Sequence, residues 1–167
     1  TFGEYEREIL ENYIEDNYIP SDYTVSKLYE LDDSLSWWTG DSQISAQINA
    51  GCGVINYAGH GGLGWDFSYG WAPGNGKELP WWTYGAADAD GLTNDSRLPV
   101  IFSIACLPSR FDSDTECIGE AFMLNSDGGA IAYFGATREA VGRNDSQITE
   151  GYAGELDCIF NEKFFGG

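Results

Sequence analysis

Two residues of this 167-residue chain could do nucleophilic chemistry together. Cys106 stands in Ile104-Ala105-Cys106-Leu107-Pro108, and His60, the one histidine, stands in Ala58-Gly59-His60-Gly61-Gly62. A cysteine attacks a carbonyl carbon as a thiolate, or as a thiol made reactive in its complex with substrate. It therefore needs an exposed edge beside a polarising group. An imidazole can supply the proton transfer. The glycines around His60 free the backbone for close approach of a ligand and provide no packing partners. Elsewhere a lone histidine is a surface residue and a thiol an ordinary core residue. The case for chemistry thus rests on where the fold puts these two.

The elements that must position them are legible as alternating helices and strands. Residues 4–18 read as a helix, with Ile9, Leu10, Tyr13 and Ile14 at helical spacing, acids in the first turn and Pro20 closing it. Residues 24–31 read as a strand, 42–50 as a short helix ending at Gly51, and 54–58 as a buried strand. The stretch 61–95 is rich in glycine, holds four of the six tryptophans and has neither helical nor strand periodicity, so it reads as a long functional loop inserted into a single domain. Regularity returns with a buried strand at 99–105. A helix at 114–125 follows, capped by Ser113 and Glu116 with Ile118, Phe122 and Leu124 inward. Asp127-Gly128-Gly129 is a turn and 130–134 a strand. Ile148, Tyr152, Leu156, Ile159, Phe160 and Phe164 mark a last helix. Alternation of this kind implies an α/β fold with a mainly parallel sheet, in which ligands bind beyond the carboxyl ends of the strands. His60 lies two residues past one strand and Cys106 ends another, and consecutive strands commonly lie side by side.

Longer runs around both residues sharpen this. The run Ile48-Asn49-Ala50-Gly51, then Val54 to Gly62, then Trp65, resembles the histidine motif of the gingipain family of cysteine peptidases. Leu92-Thr93-Asn94, Leu98 to Ile101, Ala105-Cys106 and Phe111-Asp112 resemble that family's cysteine motif. Gly119 to Phe122, Gly129 to Ala132, Ala136-Thr137-Arg138 and Asn144 keep its order and spacing. The resemblance covers roughly residues 45–165. It implies a caspase- and hemoglobinase-like three-layer α-β-α sandwich. It also implies Cys106 as nucleophile, His60 as the acid that protonates the leaving amine, and the N–H groups of Gly61 and Cys106 as the oxyanion hole. Trp65 and Arg138 become candidates for substrate binding. No metal or organic cofactor is needed for such chemistry, and members of the family bind calcium, so a structural calcium fits. The partners implied are a protein or peptide substrate and the remainder of a precursor or a cleaved companion chain.

Two departures from the family pattern stand out. Leu107-Pro108-Ser109-Arg110 follows the cysteine where the family often has a glycine. The family's sheet also has a strand before the helix at 4–18, beside the strand bearing the histidine, whereas only Thr1-Phe2-Gly3 precede that helix here. An unpaired central strand would bury backbone groups, so the first strand is expected upstream, in a longer precursor.

Composition bounds the partners. With 27 acidic and 8 basic residues the net charge is −19, which disfavours nucleic acid and anionic membranes as ligands. A content of 43 % hydrophobic and 15 % aromatic residues argues for a folded chain. No apolar run nears the roughly 20 residues of a membrane span. Three lysines, strong acidity, six tryptophans and Asn-x-Ser sequons at Asn94 and Asn144 fit a secreted or cell-surface protein. The cysteines at 52, 106, 117 and 158 form no CxxC pair and leave two disulfides, one disulfide or four thiols open. One pairing, Cys117 with Cys158, suits two helices packed on one face of the sheet. Asp88-Ala89-Asp90-Gly91 with Asn94-Asp95 has part of a calcium-loop pattern without its bidentate glutamate, and reads better as an acidic turn. Three functions follow: an endopeptidase, cutting after a basic residue if the acidic surface selects its substrate; a catalytically silent interaction or structural module of an extracellular assembly; or a transpeptidase.

Overall fold

The computed structural model describes residues 4–28, 41–62, 65–69, 82–143 and 147–166. In chain order these form α1 (Glu4–Tyr18), α2 (Asp41–Ala50), β1 (Val54–Ala58), β2 (His60–Gly62), β3 (Trp65–Tyr69), β4 (Trp82–Gly85), α3 (Ala86–Asp90), β5 (Val100–Ile104), α4 (Ile118–Leu124), β6 (Ala132–Gly135) and α5 (Tyr152–Phe165). The chain divides into two units, Thr1–Lys27 with Glu139–Gly167, and Leu28–Arg138.

The larger unit is built on a parallel sheet in the order β1-β5-β6. β5, in the middle, is short and apolar (VIFSI), as a central parallel strand commonly is. Side chains alternate along each strand, so Ile55 and Tyr57 of β1, Ile101 of β5 and Tyr133 of β6 share one face. That face packs on Ile44 and Ile48 of α2, Ala89 of α3, Leu92, and Ile118, Ala121 and Phe122 of α4. Phe122 stacks between Tyr84 and Tyr133, with ring centroids 6.3 and 5.8 Å away. α2 ends where expected, because Gly51 takes a φ of +97° that a side chain would resist.

The described residues of the stretch 61–95 are largely regular rather than loop. They contain a second, antiparallel sheet in the order β2-β3-β4, followed by α3. The register shifts between His60 and Gly62 and again between Asp66 and Ser68. Such bulges break the two-residue alternation by which a strand is read from sequence. Residues 24–28 are not a strand: they are irregular and exposed, with Val25 and Leu28 solvent-facing, and β-propensity without a partner to pack on decides little. Residues 29–31 of that expected strand lie outside the described ones.

The helix expected at 114–125 begins later, at Ile118. The Cys117 N–H donates to Glu120 Oε2 at 2.9 Å, while Ser113 Oγ accepts from Thr115 N–H at 3.2 Å in the turn before. The same three-residue capping spacing thus occurs twice, and burial of Cys117 and Ile118 selects the second. Leu124, expected inward, is 72 % exposed. The strand expected at 130–134 runs from Ala132 to Gly135.

In the smaller unit α1 and α5 lie together, with Leu10 and Ile14 of α1 buried as their spacing suggests. α5 buries a face of small and polar residues, Ala153, Gly154, Asp157, Cys158 and Asn161, and exposes Tyr152, Leu156 and Ile159. Gly154 sits against the Ile148 carbonyl where a Cβ would collide. The Asn161 amide donates to the Asp157 backbone oxygen and to Asp157 Oδ1, at 2.9 and 3.0 Å.

Candidate active site

β1 and β5 pair in an unbroken parallel register from Val54↔Val100 to Ala58↔Ile104. The offset is 100 − 54 = 104 − 58 = 46 residues, and 106 − 60 is 46 as well. His60 and Cys106 therefore each lie two residues past the carboxyl end of one of two neighbouring parallel strands, at the same edge of the sheet. This is the edge at which parallel sheets bind ligands.

After β1 the chain bends at Gly59 and enters β2, in which His60 pairs with Ser68 and Gly62 with Trp65. The bend is held from below. The Tyr57 hydroxyl donates to the His60 carbonyl at 2.8 Å, and the Tyr57 ring fills the space where a Cβ on residue 59 would go. Gly59 is required there for contact, not for a special backbone angle. Gly61, the expected oxyanion donor, is the next residue. Trp65 lies in β3, its backbone opposite Gly62 and Gly85.

All four cysteines are thiols, so the expected Cys117–Cys158 disulfide is not formed. Burial pushes the Cys52 and Cys117 thiols above their ordinary range. Burial, reinforced by the neighbouring Asp157 carboxylate, pushes Cys158 up to about 11. These three are kept protonated at neutral pH and are poor nucleophiles. Cys106 is half-exposed at the sheet edge.

The segment after Cys106 is laced to the exit of β6. The Leu107 N–H donates to the Arg138 carbonyl at 3.0 Å and the Ser109 N–H to the Ala136 carbonyl at 3.2 Å. The Pro108 carbonyl accepts the Gly119 N–H at 2.9 Å, satisfying a donor at the start of α4 that has no partner inside the helix. Leu107 itself has a φ of +66°. A leucine here takes a backbone conformation that costs a side-chain-bearing residue about 1–2 kcal/mol. Strain of this sort gathers at functional sites.

Arg138 grips Asp112 in a two-pronged ion pair, Nη2 to Oδ2 at 2.7 Å and Nη1 to Oδ1 at 3.1 Å, and also donates to the Thr137 carbonyl at 2.7 Å. Hydrogen bonding from Arg138 holds the Asp112 carboxyl below the usual carboxylate range. Arg110 Nε approaches the same carboxylate at 3.6 Å. The guanidinium expected to bind substrate is thus paired with a carboxylate of the loop that follows Cys106.

Two side chains of the acidic segment before β5, Asp88 and Asn94, bond internally. Asp88 Oδ2 accepts the Gly85 N–H at 2.8 Å. Asn94 is fully buried: its amide donates to the Arg97 and Gly129 carbonyls, both at 2.9 Å, and its oxygen accepts the Gly129 N–H at 2.8 Å. The same burial removes Asn94 as a glycan acceptor in the folded state, and Asn144 lies outside the described residues. Among the described residues no group of three or more His, Cys, Asp or Glu is disposed to hold a metal ion, and no helix is long and apolar enough to cross a membrane.

Sequence reading missed Tyr57 and Asn94, since it took the first as a strand residue and the second as part of a motif. The pair Tyr57 and Gly59 carries a weak signal, an aromatic two residues before a glycine at a strand end.

Solved structures define the class of fold. The chain matches the Arg-specific cysteine proteinase gingipain R with a TM-score of 0.62 over 95 % of its length and 32 % of that chain, at 22 % identity. It matches the complex of Porphyromonas gingivalis RgpB pro- and mature domains with a TM-score of 0.58 over 81 % and 28 %, at 23 % identity. The fold is the caspase-like α/β fold of these proteins, with its three-stranded parallel sheet among the described residues. Residues 3–165 match the model of peptidase family C25, and the chain belongs to that family of cysteine peptidases. Gingipain R2 of Porphyromonas gingivalis, strain ATCC 33277, is 32 % identical over 96 residues, which is 54 % of this chain and 11 % of the relative. Gingipain R1 of Porphyromonas gingivalis has the same identity over 8 % of its length. The chain therefore spans about a tenth of these relatives.

Proposed function

We propose that this chain carries the catalytic dyad of a secreted cysteine endopeptidase, with Cys106 as nucleophile and His60 as acid. The observation that supports it most is the common spacing: His60 and Cys106 each follow by two residues the last rung of the β1–β5 ladder, Ala58↔Ile104, at a ligand-binding edge. In this reading Cys106 passes its S–H proton to His60, its sulfur forms a bond to the substrate carbonyl carbon, and the carbonyl π pair moves to oxygen. The Gly61 and Cys106 N–H groups stabilise that oxyanion, often the largest catalytic contribution. Collapse breaks the C–N bond, and the leaving amine takes a proton from His60. Water then attacks the thioester, releasing the acid and restoring the thiol and imidazole. The chemistry requires no metal or organic cofactor.

A basic residue before the scissile bond suits both the net charge of −19 and the name of the Arg-specific structural neighbour. Partners are a protein or peptide substrate and further parts of a precursor, in keeping with the pro- and mature-domain complex among the neighbours. Trp65 remains a candidate for the substrate wall. The Cys106 thiol is not consumed in a disulfide, which favours this reading over a silent module.

An acyloxymethyl ketone probe tests it. The probe is expected to alkylate Cys106, located by mass spectrometry, with labelling abolished in Cys106→Ala and reduced about 100-fold or more in His60→Ala. A folded wild-type chain that is not labelled would refute the proposal.

A further inference from the structure

The hydrogen bond from Tyr57 ends on a particular peptide unit. The carbonyl that accepts it belongs to His60, and the same planar unit carries the N–H of Gly61. In a trans peptide the C=O and N–H point in opposite directions. A donor fixed on the oxygen therefore fixes the direction of the hydrogen. It also draws electron density toward the oxygen and makes the N–H a stronger donor, as hydrogen bonds in a chain polarise one another.

Tyr57 is well placed to hold that orientation. It is the penultimate residue of β1, its backbone paired opposite Ser103 of β5, and its ring packs against the buried core. The hydroxyl reaches the His60 carbonyl only because residue 59 has no side chain, since a Cβ there would run into the hydroxyl and the ring. The bend between β1 and β2 is glycine on both sides of His60. Such a backbone has unusual freedom and needs an external tether if its N–H is to point one way.

We propose that Tyr57 is a positioning residue, whose hydroxyl orients and polarises the Gly61 N–H as oxyanion donor. This rests on the dyad reading above, and goes beyond it by naming what preorganises the hole.

The test is Tyr57→Phe, which removes one oxygen and keeps the ring. Two readouts depend on the hole and two do not. A peptide aldehyde forms a thiohemiacetal whose oxyanion needs the donor, so its affinity is expected to fall about 10-fold, with kcat falling by a similar factor. KM and the rate of Cys106 alkylation by iodoacetamide, which develops no oxyanion, are expected to stay within about twofold. Independently of activity, the Gly61 amide and His60 carbonyl NMR resonances are expected to move. Gly59→Ala, which displaces the hydroxyl, is expected to reproduce the loss of aldehyde affinity. Unchanged resonances in Tyr57→Phe, or unchanged aldehyde affinity, overturn the inference. A folded wild-type chain that neither binds the aldehyde nor is labelled at Cys106 overturns the dyad reading instead, and concerns the wild type alone.

Discussion

Leu107 shows how a single backbone angle can mark the edge of a site. Its φ of +66° lies where glycine is at ease and leucine is not. The strain is held in place by its own N–H on the Arg138 carbonyl and by the Arg110 N–H on its carbonyl, at 3.0 and 3.1 Å. Comparing Leu107→Ala with Leu107→Gly isolates the backbone contribution, because both lose the side chain. In ordinary positions glycine is the less stable of the two by roughly 0.5–1 kcal/mol. Here the order is expected to reverse, with the glycine variant more stable by about 1 kcal/mol in urea denaturation. An alanine variant as stable as the glycine one would mean that the angle carries no strain. The run Leu107-Pro108-Ser109-Arg110 was visible in sequence, but the angle was not. A residue type reports a preferred conformation, and surrounding hydrogen bonds decide the actual one. Asn94 shows the same limit: two of its three internal bonds reach Gly129, 35 residues away, and no local pattern encodes such a pairing.

At the level of elements, what was legible was what repeats locally. β1, β5, α1 and α2 could be read because each carries an unbroken apolar run or a helical stripe with a cap. β2, β3 and β4 could not, since bulges and glycines remove their period. α5 was found, but its buried face was not, because Gly154, Asp157 and Asn161 are polar or small and its bulky residues lie outside. The positions of His60 and Cys106 were legible as strand ends, whereas the lacing of the Cys106 loop to the exit of β6 required the fold. That lacing yields a prediction about Arg138. If its role is to hold Asp112, then Asp112→Ala, Arg138→Ala and the double variant lower kcat by the same factor, a non-additive cycle. If Arg138 bound substrate, only its own replacement would raise KM. The pair is exposed, and such pairs add little to global stability, so all three variants are expected to melt close to wild type. The sign with pH follows from the lowered Asp112 value. The folded state favours the ionised carboxyl, so the clasp is present above the ordinary carboxylate range and is lost only as pH falls through the depressed value.

If the chain is a peptidase for basic substrates, the charge of the whole molecule acts on stability and on substrate in opposite directions. With 27 acids against 8 bases the chain repels itself. Salt shortens the reach of that repulsion, from about 30 Å at 0.01 M to about 3 Å at 1 M. Melting temperature is therefore expected to rise with sodium chloride across this range. A cationic peptide is drawn by the same field, so its kcat/KM is expected to fall over the same range, mainly through slower association. A peptide with the same cleaved bond and neutral flanks controls for salt effects on the chemistry itself, and its kcat/KM is expected to change much less. The two signs cannot come from one cause such as loosening of the fold, because the chain is then most stable where it is slowest on the cationic peptide. If kcat/KM for that peptide instead rose in step with melting temperature, salt would be acting by consolidating the fold. The acidic surface would then serve solubility rather than selection of basic substrates.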